Sequence, residues 1–328
     1  MAGNCMNGKQ KPLSETESDI LPGRTAYPLT SVNAPYVQQS WQRCMSAYNL
    51  DPAQGWTADV LSSSEFLHIS GRSAVLLKSA MGEMRRLFKL VQGMGLMVLL
   101  ADPDATILAR CVDETHLSVC RRLYLRKGAI WNEAAAGTNG VGTCIKEKCP
   151  VFLGQGDHWR FCFSLLASYA VPVFDAQGQI AGALNLAALS GNTTRPYAAL
   201  VTETLMLSGR RIEEQLFRTR YEGDRILTLG PAEDCSSPLV AINTDGEVTG
   251  ATHAARTLMG WTDDMIQDHP NLLAELDSEG TVSFQKAEES VVRSALAACQ
   301  GNVSATAQSL GVSRATLYRK MKALNISH

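Results

Sequence analysis

Four residues carry the clearest chemistry in this chain. Between Gly301 and His328 it holds Arg314, Arg319, Lys320 and Lys322 and no Asp or Glu, while the formal net charge of the whole is −2. That end is therefore +4 and the remainder −6, the asymmetry expected of a nucleic-acid-binding end. Arginine can hydrogen-bond O6 and N7 of guanine, and lysine can neutralise phosphates. The competing reading is a solvated basic face on an ordinary helical hairpin.

Two further constellations are weaker. Cys111, Cys120, Cys144, Cys149 and Cys162 cluster in the middle of the chain. Their spacings contain no Cys-x-x-Cys, so they match neither zinc nor iron–sulfur patterns, and small buried thiols explain them as well. A redox thiol would need a pKa lowered by positive charge; Cys120 stands beside Arg121 and Arg122. The loop Gly137-Thr138-Asn139-Gly140-Val141-Gly142-Thr143 is neither a dinucleotide nor a phosphate-loop pattern. The single Gly-Lys pair, Gly8-Lys9, sits in a polar N-terminal stretch, so ATP binding is not expected.

The elements that position these residues read as follows. Length (328 residues) favours two or three domains, and a hydrophobic content of 45% supplies a sizeable core. Residues 1–31 read as a mobile arm with no signal core, and no run is long and apolar enough to span a membrane. Nine cysteines without a secretion signal point to reduced thiols in the cytoplasm. Residues 37–48 predict a short helix. Residues 73–91 predict a longer one, with Val75, Leu76, Met84, Leu87, Phe88 and Val91 at helical spacing. Strands are predicted at 96–101, 106–112, 151–153, 169–174 and 179–187, the last two joined by the turn Asp175-Ala176-Gln177-Gly178.

A long helix is predicted from Pro196 to Arg220 with Tyr197, Val201, Leu205, Ile212 and Leu216 on one side. The stripe alone leaves two partners open, the sheet or a second copy of the chain. Residues 239–259 predict a strand, a turn and a short helix, and 263–280 a linker. At the C-terminus, Ala287, Val291, Val292, Ala295, Leu296 and Cys299 predict one apolar helix face, ended by Gly301-Asn302. Residues 304–310 predict a second helix, Gly311-Val312 a corner, and Ser313 the N-cap of a third helix, 314–324, with Leu317, Met321 and Leu324 inward. That is the form a major groove accepts.

The string Gly301-Asn302-Val303-Ser304 through Leu310-Gly311-Val312-Ser313-Arg314-Ala315-Thr316-Leu317-Tyr318-Arg319-Lys320 closely resembles the Fis-type helix-turn-helix of bacterial regulators. The resemblance implies DNA contacts from Asn302, Ser304, Arg314, Thr316 and Arg319 and a dimer that residues 284–298 help to pair; the capping Ser313 and the outward Lys320 and Lys322 are added as DNA contacts from the residues themselves. Upstream, Ser40-Trp41-Gln42-Arg43-Cys44, Asp51-Pro52, Trp131-Asn132-Glu133 and the glycine loop resemble the N-terminal half of the acetoin-catabolism and dihydroxyacetone regulators. That half contains a GAF sensor domain. Residues 239–259 look like the start of a PAS domain, too short to be complete. Such relatives usually carry an ATPase between sensor and DNA-binding end, and this chain has neither the phosphate loop nor the room for one between Arg220 and Phe284.

The expected fold is α+β: an arm (1–35), an N-terminal helical segment (36–60), a GAF-like sensor (61–220), a PAS-like remnant with linker (221–283) and an all-α Fis-type helix-turn-helix (284–328). The expected function is ligand-responsive transcriptional control without ATP hydrolysis, metal or cofactor. Expected partners are double-stranded DNA, a small-molecule effector, a second copy of the chain and RNA polymerase. Candidate effector contacts are the walls Trp131, Phe161, Phe163 and Tyr169 and the polar groups Arg110, Thr138, Asn139 and His158, with Thr138 and Asn139 at the pocket rim. The alternative is a cysteine-based redox enzyme or redox-sensing regulator on the GAF fold.

Overall fold

The computed structural model describes residues 34–189, 198–229, 238–272, 302–310 and 312–323, with Val292, Ala295, Leu296, Cys299 and Ile326. Residues 1–33 of the predicted arm, Pro196, Tyr197, most of the helix before Gly301, the corner residue Gly311 and Leu324 lie outside these, and Pro35, expected in the arm, begins a helix. The chain divides into two compact units, residues 1–175 with 180–216, and residues 176–179 with 217–328.

The first unit is built on a five-stranded antiparallel sheet of β1 (Met97–Ala101), β2 (Ile107–Cys111), β3 (Val151–Leu153), β4 (Ala167–Phe174) and β5 (Ile180–Ala188), in the order β2-β1-β5-β4-β3. Side chains alternate across a strand, so a strand with all five residues buried must be covered on both faces. β1 is such a strand: Met97, Leu99 and Ala101 enter one core, Val98 and Leu100 the other.

One face is covered by α3 (Ala74–Val91) and α7 (Ala198–Arg220), which bury Leu76, Ala80, Met84, Leu87 and Val91, and Val201, Leu205, Ile212 and Leu216. The α7 stripe is thus spent on its own sheet. Val75 departs from expectation: it is 55% exposed, and Ala80 takes the inward position instead. The other face is covered by α1 (Pro35–Gln42), α5 (Glu133–Ala136), α6 (Gly140–Glu147) and the intervening loops. Helix α2 (Ser63–Arg72) was not foreseen. Its start is a capping box, with Glu65 N donating to Ser62 Oγ and Ser62 N to a Glu65 carboxylate oxygen. It buries no residue. Helix α4 (Leu117–Arg122) lies in the stretch between β2 and the glycine loop.

In the second unit, β6 (Arg225–Thr228), β7 (Leu239–Ile242) and β8 (Val248–Ala251) form an antiparallel sheet in that order. Val240, Val248 and Ala251 share a core with α8 (His253–Met259), α9 (Asp263–Gln267) and Trp261. A second cluster joins Val292, Leu296, Val303, Ala307, Leu317, Met321 and Ile326 around α10 (Val303–Ser309) and α11 (Arg314–Ala323). No described helix is long and apolar enough to cross a membrane.

Candidate DNA-binding end and sensor layer

The C-terminal helices are positioned by caps and by a small core. Asn302 Oδ1 accepts from Ser304 N (3.0 Å) and Ala305 N (3.2 Å), which satisfies two donors that the first turn of α10 leaves over. The corner is closed by Val312 N donating to Ala307 O at 3.0 Å. Ser313 Oγ then accepts from Thr316 N at 3.1 Å, the N-cap expected for α11, and pairs with the Thr316 hydroxyl at 2.8 Å. Leu317 (0% exposed) and Met321 face inward, and the opposite side of the same helix is left in solvent.

Of the predicted DNA contacts, Asn302, Ser313, Arg314 and Arg319 are exposed, and Ser304, Thr316 and Lys320 are half-buried. The Lys322 side chain lies outside the described residues. Asn302, Ser313 and Thr316 already use their oxygens on the helix starts. Arg314 and Arg319 make no ion pair with any described carboxylate, so both guanidinium groups are held clear of internal neutralisation.

The segments that stood out in the middle of the sequence meet in space. α1 runs into a π-helical turn, Arg43–Ala47. From it Arg43 makes two bonds to the buried Glu133 carboxylate, through Nε (2.6 Å) and Nη2 (2.9 Å), and a further one to Glu147. These carboxylates hold the Arg43 guanidinium well above its ordinary pKa. Ser40 Oγ donates to Glu133 at 2.7 Å and lies 2.7 Å from Thr138 Oγ1, which in turn lies 3.6 Å from Cys44 Sγ. Trp41 Nε1 donates to Asp157 O, and Phe161 N to Pro52 O. A carboxylate as buried as Glu133 needs this many donors, because an unpaired charge there would cost several kcal/mol.

The glycine loop fits the same layer. Gly137 has φ +74° and Trp159 packed where a Cβ would stand. At Gly142 a Cβ would come within 2.5 Å of Trp131 O. Asn139 caps α6, accepting from Gly142 N at 2.8 Å and donating to Trp131 O and Gly137 O.

The sequence-predicted effector contacts separate into groups. Trp131 (2% exposed), Phe163, Thr138, Asn139 and His158 all lie buried in this layer. Thr138 and Asn139 were expected at a rim and are instead inside, 0% and 1% exposed, because both hold the loop together. Arg110 lies on the same side, donating to Leu125 O at 2.6 Å. Phe161 is 41% exposed. Tyr169 lies across the sheet, packed on the α3 and α7 core, since it is one residue out of register with Ala170 on β4; it cannot share a wall with Trp131.

Sequence reading missed Trp56, whose ring meets those of Tyr124, Trp131 and Phe163 at 4.7 to 5.7 Å, and Arg160, which is 4% exposed. Trp56 stands in an irregular loop and Arg160 beside a glycine turn, and neither follows a period that would announce burial.

The thiols do not have the environment of nucleophiles. Burial pushes Cys44, Cys111, Cys120, Cys144, Cys149 and Cys162 upward. At Cys120 the Sγ lies 3.3 Å from Met97 Sδ, and desolvation outweighs the nearby Arg110. No metal-binding cluster occurs among the described residues.

Residues 284–324 match the family model described as Bacterial regulatory protein, Fis family, so the chain carries a Fis-type helix-turn-helix at its C-terminus. It is 27% identical over 227 residues to the acetoin catabolism regulatory protein of Cupriavidus necator, covering 68% of this chain and 34% of that protein. It is 25% identical over 223 residues to the acetoin dehydrogenase operon transcriptional activator AcoR of Bacillus subtilis, covering 68% and 36%. The chain therefore matches about a third of the length of these curated relatives. Its fold is similar to the E. coli DhaR(N) complex with DhaL, at 15% identity and a TM-score of 0.54, over 75% of this chain and 87% of that one. The α+β architecture follows from the sheet order and this likeness of fold together, and the C-terminal Fis-type helix-turn-helix from the family match.

Proposed function

We propose that this chain is a DNA-binding transcription regulator that reads a small-molecule effector through its first unit and acts without hydrolysing ATP. The observation that carries the reading is α11: capped by Ser313, anchored by Leu317 and Met321, and presenting Arg314 and Arg319 to solvent within a Fis-type match. Helices of that kind enter the major groove with their N-terminal residues against base edges. The named relatives are regulators of transcription, which supports the same class.

The chain acts in the cytoplasm, as a homodimer paired through residues 284–298, on a site of dyad symmetry. Its half-sites are about 34 Å apart or closer. With no phosphate loop in the sequence, it works by recruiting RNA polymerase, by repression or by competing with a full-length relative. The upward-shifted thiols speak against a redox enzyme, because the thiolate is the reactive form.

Gel-shift titration on sites selected from random DNA tests the reading. Arg314→Ala should weaken the selected site by about 1–3 kcal/mol and relax discrimination at one base pair. Unchanged binding by that variant sinks the assignment of α11 as the recognition helix.

A further inference from the structure

Two arginines lie in the layer that covers the Trp131 side of the sheet, and they are treated differently. Arg43 has two carboxylates, Glu133 and Glu147. Arg160, at 4% exposure, has none: no described Asp or Glu is within ion-pairing distance of it. Its Nη2 donates to Ala135 O at 2.8 Å and its Nη1 to Gln54 O at 3.3 Å, both neutral acceptors. Its Nε makes no hydrogen bond. Asp51 is felt only from a distance, and its carboxylate accepts from Ala53 N in solvent. A guanidinium does not give up its proton at neutral pH, so this charge stays in place. Buried charges in folded proteins are otherwise paired.

The surroundings of Arg160 bring backbone acceptors and aromatic rings together. The guanidinium lies where α5, the loop through Gln54 and the 3-10 turn Phe161–Phe163 meet, close enough to Cys44 on the π-helical turn to feel it. Single π turns are frequent at functional sites. Phe163 N donates to Arg160 O, and the Phe163 ring stacks on Trp131 at 5.1 Å with Trp56 edge-on at 5.0 Å. Aromatic walls beside a few convergent polar groups are the composition of small-ligand sites. Residues 51–56 are largely exposed, and Phe161 N to Pro52 O and the long Arg160 contact to Gln54 O link them to the turn below. A ligand that replaced the Gln54 contact would enter there. Nε makes no bond and Nη2 makes one of its two, so donor capacity remains on the edge of the guanidinium that a carboxylate takes side-on.

We propose that Arg160 is the anion-recognising group of the effector site and that the effector is a small carboxylate. This rests on the reading of the first unit as a ligand sensor. Arg110, the arginine among the sequence-predicted polar contacts, is committed to Leu125 O.

The test is calorimetric titration and thermal unfolding of the full chain with acetate, lactate and pyruvate. Acetamide, propane-1,2-diol and butane-2,3-dione serve as neutral counterparts of matching size. At least one carboxylate should bind and raise Tm while its counterpart does not. Arg160→Gln should weaken that binding at least tenfold and leave the ligand-free Tm unchanged or higher, since it removes a buried charge. Equal binding of a neutral counterpart, retained affinity in Arg160→Gln, or no response to any of the three carboxylates overturns the proposal. So does a marked fall in the ligand-free Tm of the variant, which would make the guanidinium a structural tie between Ala135 and Gln54. Gel shifts on the same preparations separate the two readings. Intact DNA binding without a carboxylate response removes this site and leaves the regulator. A carboxylate response that needs Arg160, without DNA binding, does the reverse.

Discussion

Glu213 interrupts the inner side of α7 with a carboxyl group, next to Ile212. Its Oε1 accepts from Phe174 N at the end of β4, at 2.9 Å. The Arg210 charge on the same helix also favours the ionised form, but burial of the carboxyl outweighs both and raises its pKa from 4.5 to about 7. Ionising it then costs more in the folded chain than in the unfolded one, by about 3 kcal/mol at about 1.4 kcal/mol per pH unit. That is an upper figure, because part of the side chain reaches solvent. The folded state holds the proton more tightly, so this contribution is fully present below pH 4.5, declines as pH rises towards 7, and is lost above it. Glu213→Gln keeps an acceptor for Phe174 N and cannot ionise. Urea unfolding followed by tryptophan fluorescence reports mainly on the first unit, which contains Trp41, Trp56, Trp131 and Trp159. The variant should match the parent near pH 4.5 and exceed it by up to about 3 kcal/mol at pH 8. A variant less stable than the parent at pH 8 would refute the reasoning, since it would mean that Arg210 and the backbone donor more than offset the burial.

Two further substitutions probe the layers directly. Arg43→Met leaves Glu133, at 3% side-chain exposure, without its bidentate partner; the expected loss is about 3–5 kcal/mol by urea unfolding, with part of it recovered in Arg43→Met/Glu133→Gln. Leu317→Ala opens a cavity at the centre of the helix-turn-helix and should cost about 2–5 kcal/mol, seen as rapid proteolysis of the C-terminal segment while the first unit stays intact.

Much of this architecture could be read from residue patterns, and the exceptions share a cause. α3 and α7 were legible because each repeats apolar residues at helical spacing, and β1, β4 and β5 because each is a short apolar run bounded by turn residues. α11 was legible from chemistry: a capping serine, inward Leu317 and Met321, and basic residues between them. The stripe on α7 could be found but not assigned a partner, since an apolar face has the same sequence whether it meets a sheet or a second helix. What failed were residues whose role depends on distant neighbours. Glu133 sits 90 residues from Arg43, and no local pattern says that they pair. Thr138 and Asn139 look like rim groups on a glycine loop, yet the loop is the inside of the layer because Gly137 and Gly142 admit Trp159 and the Trp131 backbone. Tyr169 was placed with Trp131 on chemical likeness alone, where the two-residue period of β4 decides its face.

That same period bears on how a signal would travel. A ligand changes DNA affinity only by binding two states of the protein unequally. In the first unit, the polar layer and α7 lie on opposite faces of one sheet. On β4, Ala170 faces the layer that holds Trp131 and Arg43's partner Glu133, while Val171 and Val173 face α7. The approach there is close: Gly209 of α7 leaves only 3.0 Å between a notional Cβ and Val171 Cγ2. A packed interior cannot absorb a displacement of that strand by compressing, so a shift on one face must be met by repacking of Val201, Leu205, Ile212 and Leu216 on the other. The same strand ends at Phe174, whose N–H is held by Glu213. In the proposed reading, a preference of about 1–3 kcal/mol between two packings of α7 on β4 is enough for a five- to hundred-fold change in DNA affinity. No conformational path longer than one strand's thickness is needed to carry it from the effector layer to the helix.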